Sequence, residues 1–75
     1  MRFTPKIELR IGRIRAGLTQ HDLGDKVNEP QTRISQIERG YVLPTPEEAM
    51  KLANAVGTPA EQLFPEVIGK GNGDE

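Results

Sequence analysis

The chain has 75 residues, with ten Lys and Arg, eleven Asp and Glu, no cysteine and a formal net charge of −1. This length allows one domain with a small core, and the lack of cysteine excludes disulfides and thiolate metal sites. We find no apolar run of membrane-spanning length and no signal peptide pattern. We therefore expect a cytoplasmic protein with no membrane partner.

The charges are unevenly distributed along the chain. Residues 1–40 carry eight Lys and Arg and five Asp and Glu, or +3, while residues 41–75 carry two and six, or −4, which together give −1. The basic half is suited to a polyanionic partner, and the acidic half would keep the opposite face away from it. Because the overall electrostatic potential is weak, we expect modest nonspecific affinity for such a partner and a strong dependence of binding on salt concentration.

Capping signals and apolar spacing predict five helices and no strand. Three Thr-Pro pairs suit helix starts, with Thr as the N-cap and Pro at the first helical position: Thr4-Pro5, Thr45-Pro46 and Thr58-Pro59. The last two continue into capping boxes through Glu48 and Glu61. The predicted helices span about residues 5–16, 20–27, 30–39, 46–56 and 59–64. The expected fold is an all-α, five-helix domain over residues 1–68, followed by a flexible tail over residues 69–75.

The first predicted helix has apolar residues on two nearly opposite sides. One side carries Leu9, Gly12 and Ala16, and the other carries the isoleucine stripe, which we define as Ile7, Ile11 and Ile14. One interpretation is that the carboxyl end of the domain covers this stripe, through Leu63, Phe64, Val67 and Ile68. The alternative is an exposed patch used for self-association or for a partner.

Residues Thr19 to Gly40 predict two short helices joined by a tight turn. Thr19 and Asp22 have the spacing of a capping box, and Asn28 suits the left-handed residue that ends a helix. The second of these helices has only Ile34 and Ile37 as an apolar stripe. Its other positions carry amides, hydroxyls and guanidinium groups, which suit the hydrogen-bonding edges of the DNA major groove.

This stretch resembles the helix-turn-helix of the phage repressor and Cro family, also called the Xre family. The matching residues are Gly17-Leu18-Thr19-Gln20, Leu23, Lys26-Val27 and Ile34-Ser35-Gln36-Ile37-Glu38-Arg39-Gly40, and the likeness covers about residues 5–66. The resemblance implies a sequence-specific transcriptional regulator, expected to be a repressor, that inserts its third helix into double-stranded DNA. Relatives bind palindromic operators as homodimers, with half-sites roughly 34 Å apart. Dimer contacts are expected from the acidic half or from the isoleucine stripe.

The resemblance also implies roles for particular residues. Base contacts are expected from Gln31, Thr32, Arg33 and Gln36, because Gln can pair with adenine, the Thr methyl can touch thymine and Arg can reach guanine or a phosphate. Phosphate contacts are expected from Thr19, Gln20, Arg39 and Tyr41, and Gln20 is also expected to brace Gln31. The likeness further implies an ion pair between Arg13 and Glu38, and it places the Leu9 side of the first helix against the second and third helices.

Two residues depart from the family pattern. Pro30 stands where relatives place a capping Ser or Thr, so we expect Pro30 as the first helical residue, with Glu29 as a poor N-cap. Gly24 stands where relatives favour Ala, and it still permits close approach of the helices at some cost in helix propensity.

The sequence shows no pattern that predicts catalysis. His21 lies one turn before Asp25 and predicts a surface pair rather than a metal ligand. No nucleophile–base pair, phosphate loop or metal cluster is found, so we expect no enzyme activity, cofactor or small-molecule ligand. The alternative function is an antitoxin or other interaction module that binds a protein partner through an exposed helix face, which the near-neutral charge favours.

Overall fold

A computed structural model describes residues 5–68, and the predicted tail and the Thr4 cap lie outside that range. The described residues form five helices and no strand: α1 Ile7–Arg15, α2 Gln20–Val27, α3 Gln31–Glu38, α4 Pro46–Val56 and α5 Ala60–Leu63. The predicted all-α class and the order of the helices are confirmed.

Local hydrogen bonds define both ends of α2 and the start of α4. The Thr19 hydroxyl accepts from the Asp22 N–H at 3.0 Å, and the Thr19 N–H donates to the Asp22 carboxylate at 3.0 Å. Thr45 and Glu48 form the same capping box on α4. Asn28 ends α2 in the left-handed region, with φ 61°. These short-range bonds determine where α2 begins and ends and where α4 begins. Because α3 begins only a few residues after Asn28, the connection between α2 and α3 is tight.

Three predicted helix starts are shifted. The helix α1 begins at Ile7 with Lys6 as its N-cap, so Pro5 is not its first helical residue. Pro30 is the extended residue before α3, with ψ 154°, so it is not the first helical residue. The predicted capping box of Thr58 and Glu61 is wrong, because α5 begins after Pro59 without a side-chain cap. The Thr58 N–H instead donates to the Ala53 carbonyl at 3.2 Å, which places Thr58 in the turn that ends α4.

The core is built around α4, which contacts α1, α2 and α5, while α2 also packs on α3. Its buried apolar residues are Leu9, Leu23, Val27, Ile34, Ile37, Ala49, Leu52, Ala53, Val56, Ala60, Leu63 and Phe64. The inner side of α1 therefore lies mainly on α4 and contacts α3 to a smaller extent, whereas we expected it to lie on α2 and α3. Gly12 permits this approach, since a Cβ there would lie 3.1 Å from Val56 Cγ2. Ala16, which was expected on the same buried side, is exposed.

The isoleucine stripe is exposed along α1. The exposed fractions are 53% for Ile7, 38% for Ile11 and 58% for Ile14. The predicted cover is wrong, because Leu63 and Phe64 belong to the core, and Val67 and Ile68 pack against that core. The stripe is therefore a surface feature of the subunit.

Gly24 lies where the turn between α2 and α3 folds back on α2. The Glu29 N–H donates to the Gly24 carbonyl at 2.8 Å, and a Cβ on Gly24 would lie 2.5 Å from the Glu29 carbonyl oxygen. The close neighbour is backbone, so it cannot move aside as a flexible side chain would. The turn that contains Pro30 therefore requires glycine at position 24.

Gly24→Ala should destabilise the protein by about 1–3 kcal/mol, because the added methyl group forces the turn backbone to shift. Urea unfolding followed by circular dichroism would measure this change. Helix propensity alone predicts the opposite sign, a gain of about 1 kcal/mol, so a stabilised variant would contradict the steric argument. Lys26→Ala, an exposed change on the same helix, is the control and should stay within about 0.5 kcal/mol of the parent.

Candidate nucleic-acid interface

The third helix presents a polar face outward. Ile34 and Ile37 are buried, and this places Gln31, Thr32 and Gln36 on the exposed side of α3. With 3.6 residues per turn, positions i, i+1 and i+5 share one side of a helix. Three of the four residues predicted to contact bases therefore form one outward surface.

A buried carboxylate positions the carboxyl end of α3. The Glu38 carboxylate accepts from Arg13 Nε at 2.5 Å, from Arg13 Nη2 at 3.4 Å and from Gln20 Nε2 at 3.1 Å. The side chains of Arg13 and Glu38 are only 12% and 7% exposed. Arg13 Nη1 also donates to the Leu18 carbonyl at 2.9 Å, and the Lys6 N–H donates to the Glu38 carbonyl at 2.8 Å. One residue of α3 is thus tied to α1, to the start of α2 and to the segment before α1.

A second ion pair positions the amino-terminal half of α3. Arg33 Nη2 lies 2.7 Å from Glu48 Oε1, at the start of α4. This hydrogen bond lowers the pKa of Glu48 to about 2 and raises the pKa of Arg33 above its already high ordinary value. Both groups therefore stay charged at neutral pH, and α3 is held to α4 as well as to α1.

A groove of about 550 Å³ lies beside the end of α3. Its lining includes three of the predicted phosphate contacts, Gln20, Arg39 and Tyr41, together with Arg10 from α1. The Arg39 guanidinium carbon lies 5.9 Å from the centre of the Tyr41 ring, within the range of a cation–π attraction. The structure therefore brings basic groups of two helices to one concave surface.

The fourth predicted phosphate contact, Thr19, is exposed at the start of α2. Its hydroxyl oxygen accepts the capping bond from the Asp22 N–H at 3.0 Å. The Thr19 N–H and hydroxyl also lower the pKa of the Asp22 carboxyl group.

The structure gives two predicted site residues contacts that the sequence did not indicate. Gln20, which was expected to brace Gln31, donates instead to Glu38. Arg33, which was expected at a base edge, is paired with Glu48. Arg10 belongs to none of the predicted sites, and it too lines the groove while remaining exposed. Its position three residues before Arg13 on one helix is the only pattern that could have indicated this placement.

The short helix α2 ends in a tight turn, and α3 follows it with an exposed polar face. This arrangement defines a helix-turn-helix domain. The family model described as Helix-turn-helix matches residues 9–63. The chain therefore belongs to this family, and its fold is that of phage repressor DNA-binding domains. Family members are DNA-binding transcriptional regulators of the repressor and Cro type.

Solved structures of several regulators are similar to this chain. A hypothetical transcription factor from Neisseria, NHTF, has 28% identity and a TM-score of 0.70 over 76% of this chain and 64% of its own. The restriction-modification controller protein C.AhdI from Aeromonas hydrophila has 28% identity and a TM-score of 0.67 over 75% and 81%. The DNA-binding domain of the phage P22 c2 repressor has 25% identity and a TM-score of 0.71 over 95% and 96%. No curated protein matched the sequence.

Residues 5–68 contain neither a membrane-spanning helix nor a metal cluster. No helix in that range is long and apolar enough to cross a membrane. The same residues contain no group of three or more His, Cys, Asp or Glu arranged to hold a metal ion. His21 and Asp25 form an exposed pair, with Nδ1 and Oδ2 3.5 Å apart.

Glu38→Ala should destabilise the protein by about 3–5 kcal/mol, because it leaves the buried Arg13 guanidinium without its partner. Thermal and urea unfolding would measure this loss. Glu47→Ala, which removes an exposed carboxylate from the first turn of α4, is the matched control and should cost at most about 1 kcal/mol. An equal effect of the two substitutions would show that the Arg13–Glu38 pair contributes no more than a surface charge.

Glu48 should make the stability depend on acid pH. Its pKa falls from an ordinary 4.5 to about 2 on folding, so its stabilising contribution is complete above pH 4.5 and is lost as the pH falls through 2. Glu48→Gln should therefore be less stable than the parent at pH 6, and the difference should shrink between pH 4.5 and pH 2. Urea unfolding over that range is the measurement, with Glu47→Gln as the control. A difference that is constant with pH would mean that the carboxylate charge contributes nothing.

Proposed function

We propose that this chain is a sequence-specific, double-stranded DNA-binding transcriptional repressor of the cytoplasm, which binds a palindromic operator as a homodimer with α3 in the major groove. The observation that carries the proposal is the outward polar face of α3 on a helix anchored by ion pairs to α1 and to α4. A helix anchored in this way can present side chains to base edges with a fixed register and depth.

Base readout is assigned to Gln31, Thr32 and Gln36. A Gln amide can both donate to and accept from the major-groove edge of adenine, and the Thr methyl group can contact the methyl group of thymine. All three side chains are exposed, so no internal contact of the core must break before they reach DNA. We assign Arg33 mainly to holding α3 in place, because reaching a base would cost it the hydrogen bond to Glu48.

Phosphate binding is assigned to the start of α2 and to the groove. Thr19 and Gln20 lie at a helix amino terminus, where N–H groups and the helix dipole favour an anion. Arg39 and Tyr41 follow α3, and Arg10 faces the same groove. A duplex laid across this surface would meet cationic and hydrogen-bonding groups on both sides of the recognition helix.

A second candidate function is protein binding, as an antitoxin or another interaction module. The exposed isoleucine stripe favours it, because contiguous apolar surface marks interaction sites. The salt dependence of binding to random duplex DNA separates the two candidates. A phosphate-binding protein loses affinity steeply between about 50 and 200 mM salt, since counterions are released on binding. Absence of DNA binding at the lower concentration would overturn the proposed function.

Selection from a random duplex pool, followed by titration of the selected site, tests the assignment of residues. Gln36→Ala should cost about 1–3 kcal/mol on the selected site and relax the preference at one base pair of each half-site. Arg39→Ala should weaken selected and random duplexes alike and reduce the salt slope by about one per subunit. Lys51→Ala, an exposed change on α4, is the control for lost positive charge. A Gln36→Ala variant with unchanged base preference would contradict the assignment to base readout.

A further inference from the structure

The isoleucine stripe forms a continuous apolar band along most of α1. Ile7, Ile11 and Ile14 are spaced i, i+4 and i+7, so they lie on one side of the nine-residue helix. All three are among the exposed large hydrophobic residues of the subunit. Ile7 also lines the edge of the groove described above, whereas Ile11 and Ile14 are not part of the groove lining.

The charges beside the stripe are arranged asymmetrically. At 100° per residue, Glu8 and Arg15 fall on one flank of the stripe, seven residues apart, and Arg10 falls on the other flank. The contacts agree with this arrangement. Gln62 Nε2, from α5, donates to Glu8 Oε1 at 3.2 Å, whereas Arg10 lines the groove beside α3. One flank therefore faces α5, and the other faces the groove.

This arrangement is self-complementary in an antiparallel pair. A twofold axis near Ile11, perpendicular to two antiparallel helices, places Ile7 of one copy opposite Ile14 of the other. The same axis keeps equivalent flanks on the same side, so Glu8 of each copy faces Arg15 of its mate. A symmetric parallel pairing would instead carry the two Glu8 flanks to opposite sides of the helix pair, so Glu8 of one copy and Arg15 of the other would not meet. A contact between Glu8 of one copy and Arg15 of the other is therefore available only in the antiparallel pair, which buries the apolar band at the same time.

We propose that a second copy of this chain docks on the isoleucine stripe, forming a symmetric dimer through antiparallel α1 helices. This inference rests on the proposed function, because it assigns the surface through which the proposed homodimer forms. The arrangement also suits DNA binding, because both Arg10 flanks, and with them both grooves, then face one side of the dimer. A single duplex could meet both copies from that side.

The interface is small, because one pair of short helices buries less than the approximately 1,200 Å² of a standard stable complex. In addition, the two Arg10 side chains lie near the axis on the same side, where they repel one another until an anion approaches. Free-state association should therefore occur in the high micromolar range and strengthen on duplex DNA, since phosphates neutralise that repulsion. This coupling would make operator occupancy a steep function of protein concentration.

Sedimentation equilibrium of the full chain, from about 5 μM to 1 mM, tests the surface. Ile11→Glu should raise the dimer dissociation constant by at least about tenfold, because each dimer then contains two buried charges. Met50→Glu is the matched control, since Met50 is also an exposed apolar residue but lies on α4. It should leave the constant within about twofold. Circular dichroism should show unchanged helix content for both variants, because both positions are exposed.

Charge reversal tests the antiparallel geometry and does not require a change in the apolar band. Glu8→Lys and Arg15→Glu should each weaken association about threefold or more by placing like charges opposite one another. The double variant should restore the parent constant within about twofold. Gln62→Ala is the control for the internal hydrogen bond of Glu8 and should change nothing. A double variant weaker than both single variants would exclude the antiparallel pairing.

The failures of this proposal and of the proposed function can be distinguished. A chain that is monomeric to 1 mM, both free and on the selected duplex, overturns the dimer surface. A dimer that is lost with Met50→Glu and retained with Ile11→Glu overturns it also, and leaves DNA binding intact. Association that depends on Ile11, in a chain that binds no duplex, supports the surface and removes the proposed function.

Discussion

The position of α3 depends on one buried carboxylate. Within residues 5–68, Glu38 is the only polar or charged residue in the buried set, and its donors come from α1 and from the start of α2. An ionised carboxylate tolerates burial only when charged or N–H donors converge on it. The requirement that Arg13 and Gln20 both reach Glu38 therefore fixes the end of α3 relative to two other helices.

The opposite end of α3 is held by different means. Arg33 pairs with Glu48, whose carboxylate also caps α4 through the Thr45 N–H at 2.9 Å. The turn before α3 is compact because Glu29 bonds back to Gly24 and leaves no room for a side chain there. Gly24 and Pro30 therefore depend on each other. The extended Pro30 places the turn close to α2, and this approach is possible because Gly24 has no side chain. The helix is anchored without the usual side-chain N-cap.

The remaining surface is divided between two kinds of chemistry. The amides of α3 and the basic groove suit an anionic, hydrogen-bonding partner, while the isoleucine stripe suits an apolar one. Arg10 stands at the border between these surfaces, since it lines the groove and flanks the stripe. Association of subunits and approach of a polyanion are therefore linked through electrostatics, because the same guanidinium group is near both events.

The sequence by itself determined the helices, their order and the outward polar face of α3. These features depend on local rules: capping boxes at Thr19 and Thr45, the left-handed Asn28 and the spacing of Ile34 and Ile37. Only the tertiary structure decided that Arg33 pairs with Glu48, that Gln20 bonds to Glu38, and that Phe64 enters the core and leaves the stripe exposed. Such contacts join residues far apart in the chain, and several partners of similar chemistry compete for each charge. The choice among them is made by three-dimensional packing, which no local pattern encodes.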